Sequence, residues 1–280
     1  MAAGSRVRGF NAAVIRLADR LVAPENRVRR ALSPLYSSLL GVLSGGRGYP
    51  AEINGHVFRI HPQFRWTAWH AHEREVAEFL STRIKPGQTS FDVGANVGIY
   101  VLQIARWSAP DGRIVAFEPN PATLAVLRAH VEMNGLESRV TIVPKGAGAR
   151  AGIAALYDEE AGSGLSRIGA PNPGIHVPMK PTPIALTTID DYCRDTGVLP
   201  DWILIDVEGY EYEVLQGATE TLRRHAPRVV VELHPHLSSA ESRAAGERLL
   251  EELGLTPVPI GDVAGRTEMF VSLERAGRRS

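Results

Sequence analysis

The middle of the chain alternates short apolar runs with segments whose apolar positions recur at helical spacing. Strands are predicted at residues 89–93, 113–117 and 140–143, and helices at residues 98–107 and 121–134. Such alternation is typical of a parallel sheet that is covered by helices on both faces. The pattern therefore predicts an α/β domain.

The C-terminal part of the chain continues this pattern. Compact apolar strands are predicted at residues 202–206 and 228–233, and the segment between them, from about residue 210 to 225, is predicted to be one helix. A last helix is predicted at residues 241–253. The sheet is then expected to be closed by an edge pair of strands at residues 256–260 and 269–273.

Two segments lack a regular pattern and are candidates for acceptor contacts. Residues 158–183 are rich in Gly, Pro, Ser and Asn, which favours a functional loop or lid over an ordinary connection. Residues 163–166 within it either hydrogen-bond an acceptor or form turns. An aromatic segment before the sheet either floors an acceptor pocket or packs in the core; it contains Trp66, Trp69, His70, His72 and Glu73.

The N-terminal segment is predicted to be a separate appendage. Residues 1–48 form a basic helical extension with a linker, and residues 49–280 form the main domain, in which a hairpin and a helix (49–88) precede the core (89–280). Arginines crowd the extension, which indicates a solvated helix face or a peripheral contact with a membrane or a protein. The crowded arginines are Arg6, Arg8, Arg16, Arg20, Arg27, Arg29 and Arg30.

Composition narrows the class of protein. Hydrophobic residues make up 44% and charged residues 22% of the chain, which is typical of a globular protein, and the formal net charge of zero gives no reason to expect a nucleic-acid partner. Cys193 is the only cysteine, so no intrachain disulfide can form. With no long uncharged run either, we expect a cytoplasmic protein.

Two neighbouring motifs indicate a nucleotide-like ligand. The motif F-D-V-G-A-N-V-G at residues 91–98 places Asp92 at the end of a strand and Gly94 and Gly98 in the turn to a helix. Glu118 ends the next strand about 20 residues on, a spacing at which an acidic residue reaches a ribose diol. Asn96 occupies the position of the glycine that a diphosphate requires, which argues against NAD or FAD.

The sequence resembles the FkbM family of S-adenosylmethionine-dependent methyltransferases. The motifs that carry the resemblance are F-D-V-G-A-N-V-G (91–98), A-F-E-P-N-P (116–121), I-D-V-E-G-Y-E (205–211), L-Q-G-A (215–218) and V-V-E-L-H-P (230–235). The resemblance implies a class I methyltransferase fold: a Rossmann-like, seven-stranded, mostly parallel sheet with helices on both faces, here with the N-terminal helical extension.

The resemblance also implies which residues hold S-adenosylmethionine. The first turn would hold its methionine part, the segment at Glu118 its ribose, and residues 146 and 147 its adenine. Carboxylates at strand ends would favour the sulfonium cation. The implied cofactor residues are Asp92, Gly94, Ala95, Asn96, Gly98, Glu118, Pro119, Asn120, Gly146, Ala147 and Asp206.

The catalytic candidates are Asp206, Glu208 and His234. In one hypothesis, His234 or Asp206 removes a proton from an acceptor hydroxyl. In a second, less favoured hypothesis, Asp206, Glu232 and His234 ligate a divalent metal ion. Glu208 is alternatively a carboxylate that balances the dipole at the start of a helix.

The predicted function is O-methylation of a hydroxyl group on a small molecule, a polyketide-type product, a glycan or a glycolipid, with S-adenosylmethionine as the methyl donor. The hydroxyl preference is an implication of the family resemblance. Two alternatives remain at this point: an NAD-dependent dehydrogenase, and a non-catalytic subunit that binds the cofactor. The oligomeric state is not predicted.

Overall fold

A computed structural model of the chain describes residues 48–64, 72–158, 166–170, 181–261 and 269–275. The predictions for the basic N-terminal extension, for Trp66, Trp69 and His70, and for residues 163–165 lie outside the described residues. Every residue predicted to bind the cofactor or to act in catalysis lies within them.

The described residues form thirteen strands and seven α-helices. The strands are β1 (Tyr49–Ile53), β2 (His56–Ile60), β3 (Thr89–Val93), β4 (Arg113–Phe117), β5 (Val140–Val143), β6 (Gly146–Ala147), β7 (Gly152–Tyr157), β8 (Arg167–Ile168), β9 (Thr182–Thr187), β10 (Trp202–Ile205), β11 (Arg228–Leu233), β12 (Leu255–Pro259) and β13 (Met269–Arg275). The helices are α1 (Arg74–Arg83), α2 (Ile99–Trp107), α3 (Pro121–Met133), α4 (Ile189–Thr196), α5 (Glu211–Gln216), α6 (Thr219–Arg224) and α7 (Ala240–Glu252), and a 3-10 turn covers Pro62–Phe64. Within the described residues, none of the helices is both long enough and apolar enough to cross a membrane.

Seven strands form the central sheet, in the order β12-β13-β11-β10-β3-β4-β5. Strand β13 pairs antiparallel with both of its neighbours, and the other pairs are parallel. The predicted seven-stranded, mostly parallel sheet is therefore confirmed. The predicted pair β12 and β13 is present, with β12 at the edge and β13 one position further in.

The two faces of the central sheet are buried by different sets of apolar side chains. Alternate positions of β3 and β4 place Phe91 and Phe117 on one face, where both rings contact Tyr192 of helix α4. Ile114 and Ala116 point to the other face and pack in a second cluster. Because both faces are covered, the strand ends are left as the place where the sheet can offer polar groups to a ligand.

The hairpin β1–β2 covers one flank of the core. Its turn is formed by Asn54 and Gly55, both at positive φ (45° and 81°), as the sequence pair predicted. Ile53 and Ile60 are fully buried and pack in one cluster with Leu102 of helix α2. The hairpin therefore stabilises the helix that follows the glycine turn.

The segment after β10 differs from the prediction of a single helix. Helices α5 and α6 are separated at Gly217 and Ala218, so the prediction of one helix over residues 210–225 is wrong. A Cβ atom on Gly217 would lie 2.0 Å from the carbonyl oxygen of Gly148, so the chain needs a glycine at this close contact. The carbonyl of Gly217 accepts a hydrogen bond from the amide of Asp190 (2.9 Å) and not from a continuing helix.

A second, four-stranded sheet (β6-β9-β7-β8) was not predicted from the sequence. Part of it lies in the segment that was predicted to be a loop, because β8 is Arg167–Ile168 and β9 begins at Thr182. The proline at position 183 favoured a loop, yet Pro183 lies opposite Ala155 in an antiparallel pair. This sheet brings residues 146–147 and 166–168 toward the carboxyl ends of the central strands.

Candidate active site

A cavity of about 550 Å³ lies at the carboxyl ends of the central strands. This is the edge at which open α/β sheets bind ligands. Residues from β3, β4 and β11, and from the turns that follow β3, β4, β10 and β11, line the cavity. Of the predicted site residues, those that line it are Asp92, Gly94, Ala95, Asn96, Glu118, Pro119, Gly146, Ala147, Asp206, Glu208, Glu232 and His234.

A second cavity of about 550 Å³ lies at the opposite edge, where Trp202 and Arg228 begin β10 and β11. None of the predicted site residues is among the described residues that line it. Strand amino ends are also the edge at which sheets of this kind rarely bind substrates. We therefore assign the candidate active site to the first cavity.

The glycine turn after β3 packs directly against the turn after β10. Gly94 has a φ of 87°, and a Cβ atom there would lie 1.7 Å from the carbonyl oxygen of Asp206. The amide of Asp206 in turn donates to the carbonyl of Val93 (3.0 Å). Because only glycine allows this approach, Gly94 sets the distance between the two halves of the site.

Glu118 is fixed by two backbone amides at the end of β4. Its Oε2 accepts from the amide of Asn96 and its Oε1 from the amide of Asn120, both at 2.8 Å. Burial nevertheless raises the pKa of Glu118 to about 7. A carboxylate has about four acceptor positions, so two remain for hydroxyl groups of a ligand in the cavity.

Asp92 is almost completely buried beneath the same cavity. Only 3% of the residue is exposed, and its Oδ2 has no hydrogen-bond partner in the described part of the chain. Burial, followed by repulsion from Glu118 and Glu73, raises the pKa of Asp92 to about 7. A buried carboxylate without a partner is costly, so Asp92 is suited to receive a cationic or hydrogen-bond-donating ligand group.

Two predicted cofactor residues are not among the residues that line the cavity. Gly98 starts helix α2, and a Cβ atom there would lie 2.5 Å from a methyl group of Leu127. Asn120 caps helix α3 by accepting from the amide of Ala122 (3.0 Å), while its Nδ2 donates to Asp158 (2.6 Å). Neither residue lines the cavity, and their direct contact with the cofactor stays a prediction.

The catalytic candidates converge at the ends of β10 and β11. One ligand-type atom from each of Asp206, Glu232 and His234 lies within 4.8 Å of the others. Asp206 is partly exposed as a residue, but its Oδ1 is buried and has no hydrogen-bond partner among the described residues. Burial and repulsion from Glu232 raise the pKa of Asp206 well above its usual value, and burial raises the pKa of Glu232 to about 7.

His234 is held between two carboxylates and is only 2% exposed. Its Nδ1 lies 2.9 Å from Oε1 of Glu211, and its Nε2 lies 3.7 Å from Oε2 of Glu208. Burial alone would lower the pKa of His234, but the hydrogen bond to Glu211 and the surrounding carboxylates outweigh burial and raise it to about 9. An imidazole that is already protonated at neutral pH cannot accept a proton, which favours Asp206 over His234 as the base.

Glu211, Tyr100 and Arg167 also belong to the site but were not among the predicted residues. Glu211 is fully buried, contacts His234 and also accepts from the amide of Gly209 (2.7 Å). Its place in the I-D-V-E-G-Y-E motif was the signal that could have identified it. Tyr100 donates to Glu73, and both line the cavity.

Arg167 supports the turn that carries Glu208. Its Nε donates to the carbonyl of Glu208 (3.0 Å), and its Nη2 donates to the carbonyl of Leu237 (2.7 Å). Glu208 has a φ of 51°, which is uncommon for a residue other than glycine, so this turn requires such support. No sequence signal pointed to Arg167, because it lies in the segment that was predicted to be a loop.

Comparison with known proteins identifies relatives that carry the same domain. A family model described as the methyltransferase FkbM domain matches residues 92–254. The hexuronic acid methyltransferase AglP of Haloferax volcanii is 28% identical over 191 residues, which cover 66% of this chain and 73% of that protein. The 31-O-demethyl-FK506 methyltransferase FkbM of Streptomyces tacrolimicus is 40% identical over 57 residues, which cover 20% of this chain and 22% of that protein.

A solved structure shares the fold. The methyltransferase FkbM from Methylobacillus flagellatus KT superposes with a TM-score of 0.50 at 17% sequence identity. The match covers 76% of this chain and 54% of that chain, so the present chain spans little more than half the length of that relative. At this identity the likeness shows a common fold, which agrees with the predicted class I methyltransferase sheet.

Proposed function

Since this chain belongs to the FkbM family of methyltransferases, we propose that it transfers a methyl group from S-adenosylmethionine to a hydroxyl group of a glycan, glycolipid or small molecule. The single observation that carries the proposal is the set of polar groups at the ends of β3 and β4. There, Glu118 keeps free acceptor positions and Asp92 lacks a partner for its Oδ2. These groups suit a ribose diol and a cationic ligand group, respectively.

The residues that line the cavity fit S-adenosylmethionine. Asp92 and the turn at Gly94 would hold the methionine part, Glu118 the ribose hydroxyls, and the backbone near Gly146 and Ala147 the adenine ring. When bound, this cofactor supplies a methyl group on a sulfonium cation, which is activated toward nucleophiles. No lysine or arginine in the described part of the chain lines the cavity, so its carboxylates, apart from those around His234, are left to favour a cationic ligand.

The cluster at the ends of β10 and β11 is proposed to receive the acceptor. A hydroxyl oxygen held there would form a bond to the methyl carbon, and the electron pair of the broken carbon–sulfur bond would stay on sulfur. The proton of the hydroxyl would pass to Asp206, whose raised pKa makes it a stronger base than an ordinary carboxylate. Much of the acceleration is expected to come from holding the two reactants in line.

The names of the relatives support oxygen as the acceptor atom. One relative is named a hexuronic acid methyltransferase, and the other is named for a 31-O-demethyl substrate. The matched share of the second relative is short, so the class of acceptor is left broad. A glycan that contains uronic acid is the first acceptor to test.

The proposal is tested by incubating the protein with isotopically labelled S-adenosylmethionine and a panel of uronic-acid glycans, neutral glycans and small-molecule diols. We expect mass spectrometry to find the label in a methyl ether, and Asp206→Asn to lower the rate about 100-fold or more. Label found only in a methyl ester or on nitrogen would contradict hydroxyl methylation. An unchanged rate in Asp206→Asn would exclude this residue as the base.

A further inference from the structure

The cluster of Asp206, Glu232 and His234 has the composition and geometry of a metal site. Its ligand-type atoms lie within 4.8 Å of one another, and they approach from the ends of two adjacent strands. In the sequence, these were three residues of common types and gave little reason to favour a metal ion. The structure adds two independent observations about their environment.

The first observation concerns His234, which is almost completely buried, with only 2% of the residue exposed. Its Nδ1 forms a hydrogen bond with Oε1 of Glu211. Among the described residues, none forms a hydrogen bond with Nε2, and Oε2 of Glu208 lies 3.7 Å from it. Metal-binding histidines usually donate one ring N–H to a carboxylate and direct the other ring nitrogen to the ion. Glu211 therefore holds His234 in the orientation that a metal ligand requires, and a bound ion would displace the proton that the surrounding carboxylates favour on the ring in its absence.

The second observation concerns the carboxylates. Oδ1 of Asp206 is buried without a hydrogen-bond partner among the described residues. The cavity is lined by six acidic residues and, in the described part of the chain, by no lysine or arginine; the acidic residues are Glu73, Asp92, Glu118, Asp206, Glu208 and Glu232. A sulfonium cation brings only one positive charge. A divalent ion would supply the remaining attraction that such a set of buried and partly buried carboxylates needs.

We propose that Asp206, Glu232 and Nε2 of His234 bind one divalent metal ion, which in turn binds the acceptor through two neighbouring oxygen atoms. A set of two carboxylates and one imidazole suits ions such as Mn²⁺ or Zn²⁺ better than Mg²⁺ or Ca²⁺, which prefer oxygen ligands alone. Three protein ligands leave coordination positions for water or substrate. An acceptor with two neighbouring oxygen atoms, such as a vicinal diol or a hydroxyl group next to a carboxylate, would fill two of these positions.

The ion would take part in methyl transfer by lowering the pKa of the coordinated acceptor hydroxyl. With Asp206 bound to the ion, Glu208 would take the hydroxyl proton in place of Asp206; its side chain is 20% exposed and can release the proton to solvent. The acceptor oxygen would then form a bond to the methyl carbon, and the electron pair of the broken carbon–sulfur bond would stay on sulfur. This role rests on the proposed methyl transfer, whereas the binding of the ion does not.

The experiment measures metal and cofactor binding separately on the full chain, stripped with a chelator and carrying no polyhistidine tag. Mn²⁺ and S-adenosylhomocysteine are titrated into the wild type, Glu232→Gln and Glu118→Gln, with circular dichroism as the check on folding. We expect one Mn²⁺ per chain in the wild type. Glu232→Gln should lower Mn²⁺ affinity at least about tenfold and leave S-adenosylhomocysteine binding unchanged, and Glu118→Gln should do the reverse.

The outcomes separate the two proposals. A folded wild type that binds none of Mn²⁺, Co²⁺ and Zn²⁺, or a Glu232→Gln protein that binds Mn²⁺ as tightly as the wild type, overturns the metal site. Mn²⁺ binding without S-adenosylhomocysteine binding supports the site and contradicts the methyl-donor assignment. Should Glu232→Gln fail to fold, electron spin echo spectroscopy of Mn²⁺ in the wild type replaces it: coupling to a histidine nitrogen is expected, and its absence contradicts the site.

Discussion

At the scale of single residues, the site is defined by carboxylates that are almost completely shielded from solvent. Asp92 and Glu118 each have a pKa of about 7, chiefly because burial disfavours their charged forms. Their burial destabilises the protein when no ligand is bound. Such a pair is better explained by binding than by folding.

This view predicts the pH dependence of stability. Between its usual pKa of 3.8 and its folded pKa of about 7, Asp92 is protonated in the folded protein and ionised in the unfolded chain. The free energy of unfolding therefore falls as pH rises through this range, by at most about 4 kcal/mol for this residue. In the Asp92→Asn variant, the free energy of unfolding should depend less on pH. The variant should be as stable as the wild type near pH 4 and more stable near pH 8. Denaturant unfolding measures both curves, and parallel curves would contradict the account.

Sequence reasoning identified the residues of the site better than it identified their roles. Asp92, Glu118 and Asp206 stood out because each ends a strand in a motif, and all three line the cavity. Glu211 and Arg167 escaped notice because their contacts, with His234 and with the carbonyl of Glu208, join segments that are distant in sequence. Burial and pairing of this kind depend on the folded chain, so even the place of Glu211 within a motif does not reveal its contact with His234.

At the scale of structural elements, the site depends on how closely two turns approach each other. Both Gly87 and Gly94 have positive φ angles, 82° and 87°, so replacing either one strains the backbone similarly. They differ in their surroundings: a Cβ atom at Gly87 meets nothing within 4 Å, whereas one at Gly94 meets the carbonyl oxygen of Asp206 at 1.7 Å. This pair of glycines offers a matched comparison.

We expect Gly87→Ala to lower the free energy of unfolding by roughly 1 kcal/mol and to leave cofactor binding intact. Gly94→Ala should lower it by about 3 kcal/mol or more and abolish cofactor binding, because the ends of β3 and β10 must separate. Denaturant unfolding and calorimetry with S-adenosylhomocysteine measure the two effects. Equal losses in the two variants would show that the close contact with Asp206 does not control the site.

Strands and helices were predicted well where the apolar periodicity was strong, and poorly where long-range contacts determine where an element begins or ends. The seven strands of the central sheet follow apolar runs, and each was predicted from the sequence. The break between helices α5 and α6 depends on the contact of Gly217 with Gly148, which no local pattern encodes. Strand β9 was missed because its proline resembles a loop signal, although the residue fits an antiparallel pair.

At the scale of the whole molecule, charge is distributed unevenly. The formal net charge is zero, yet no lysine or arginine among the described residues lines the acidic cavity. We expect S-adenosylmethionine to bind more tightly as pH rises from about 6 to about 8, because Asp92 and Glu118 lose their protons in this range. The gain should be smaller for S-adenosylhomocysteine, which lacks the sulfonium charge. Calorimetry at several pH values compares the two ligands, and an equal pH dependence would contradict the electrostatic explanation.

The central claim is that the cavity at the strand ends binds S-adenosylmethionine through Glu118. The most direct measurement is a calorimetric titration of this cofactor into the full chain, into Glu118→Gln and into Glu132→Gln, a control at an exposed position of helix α3. The account predicts one binding site in the wild type and in Glu132→Gln, and an affinity at least about tenfold lower, or 1.4 kcal/mol, in Glu118→Gln. Absence of binding to the folded wild type, or equal affinity in Glu118→Gln, would contradict it.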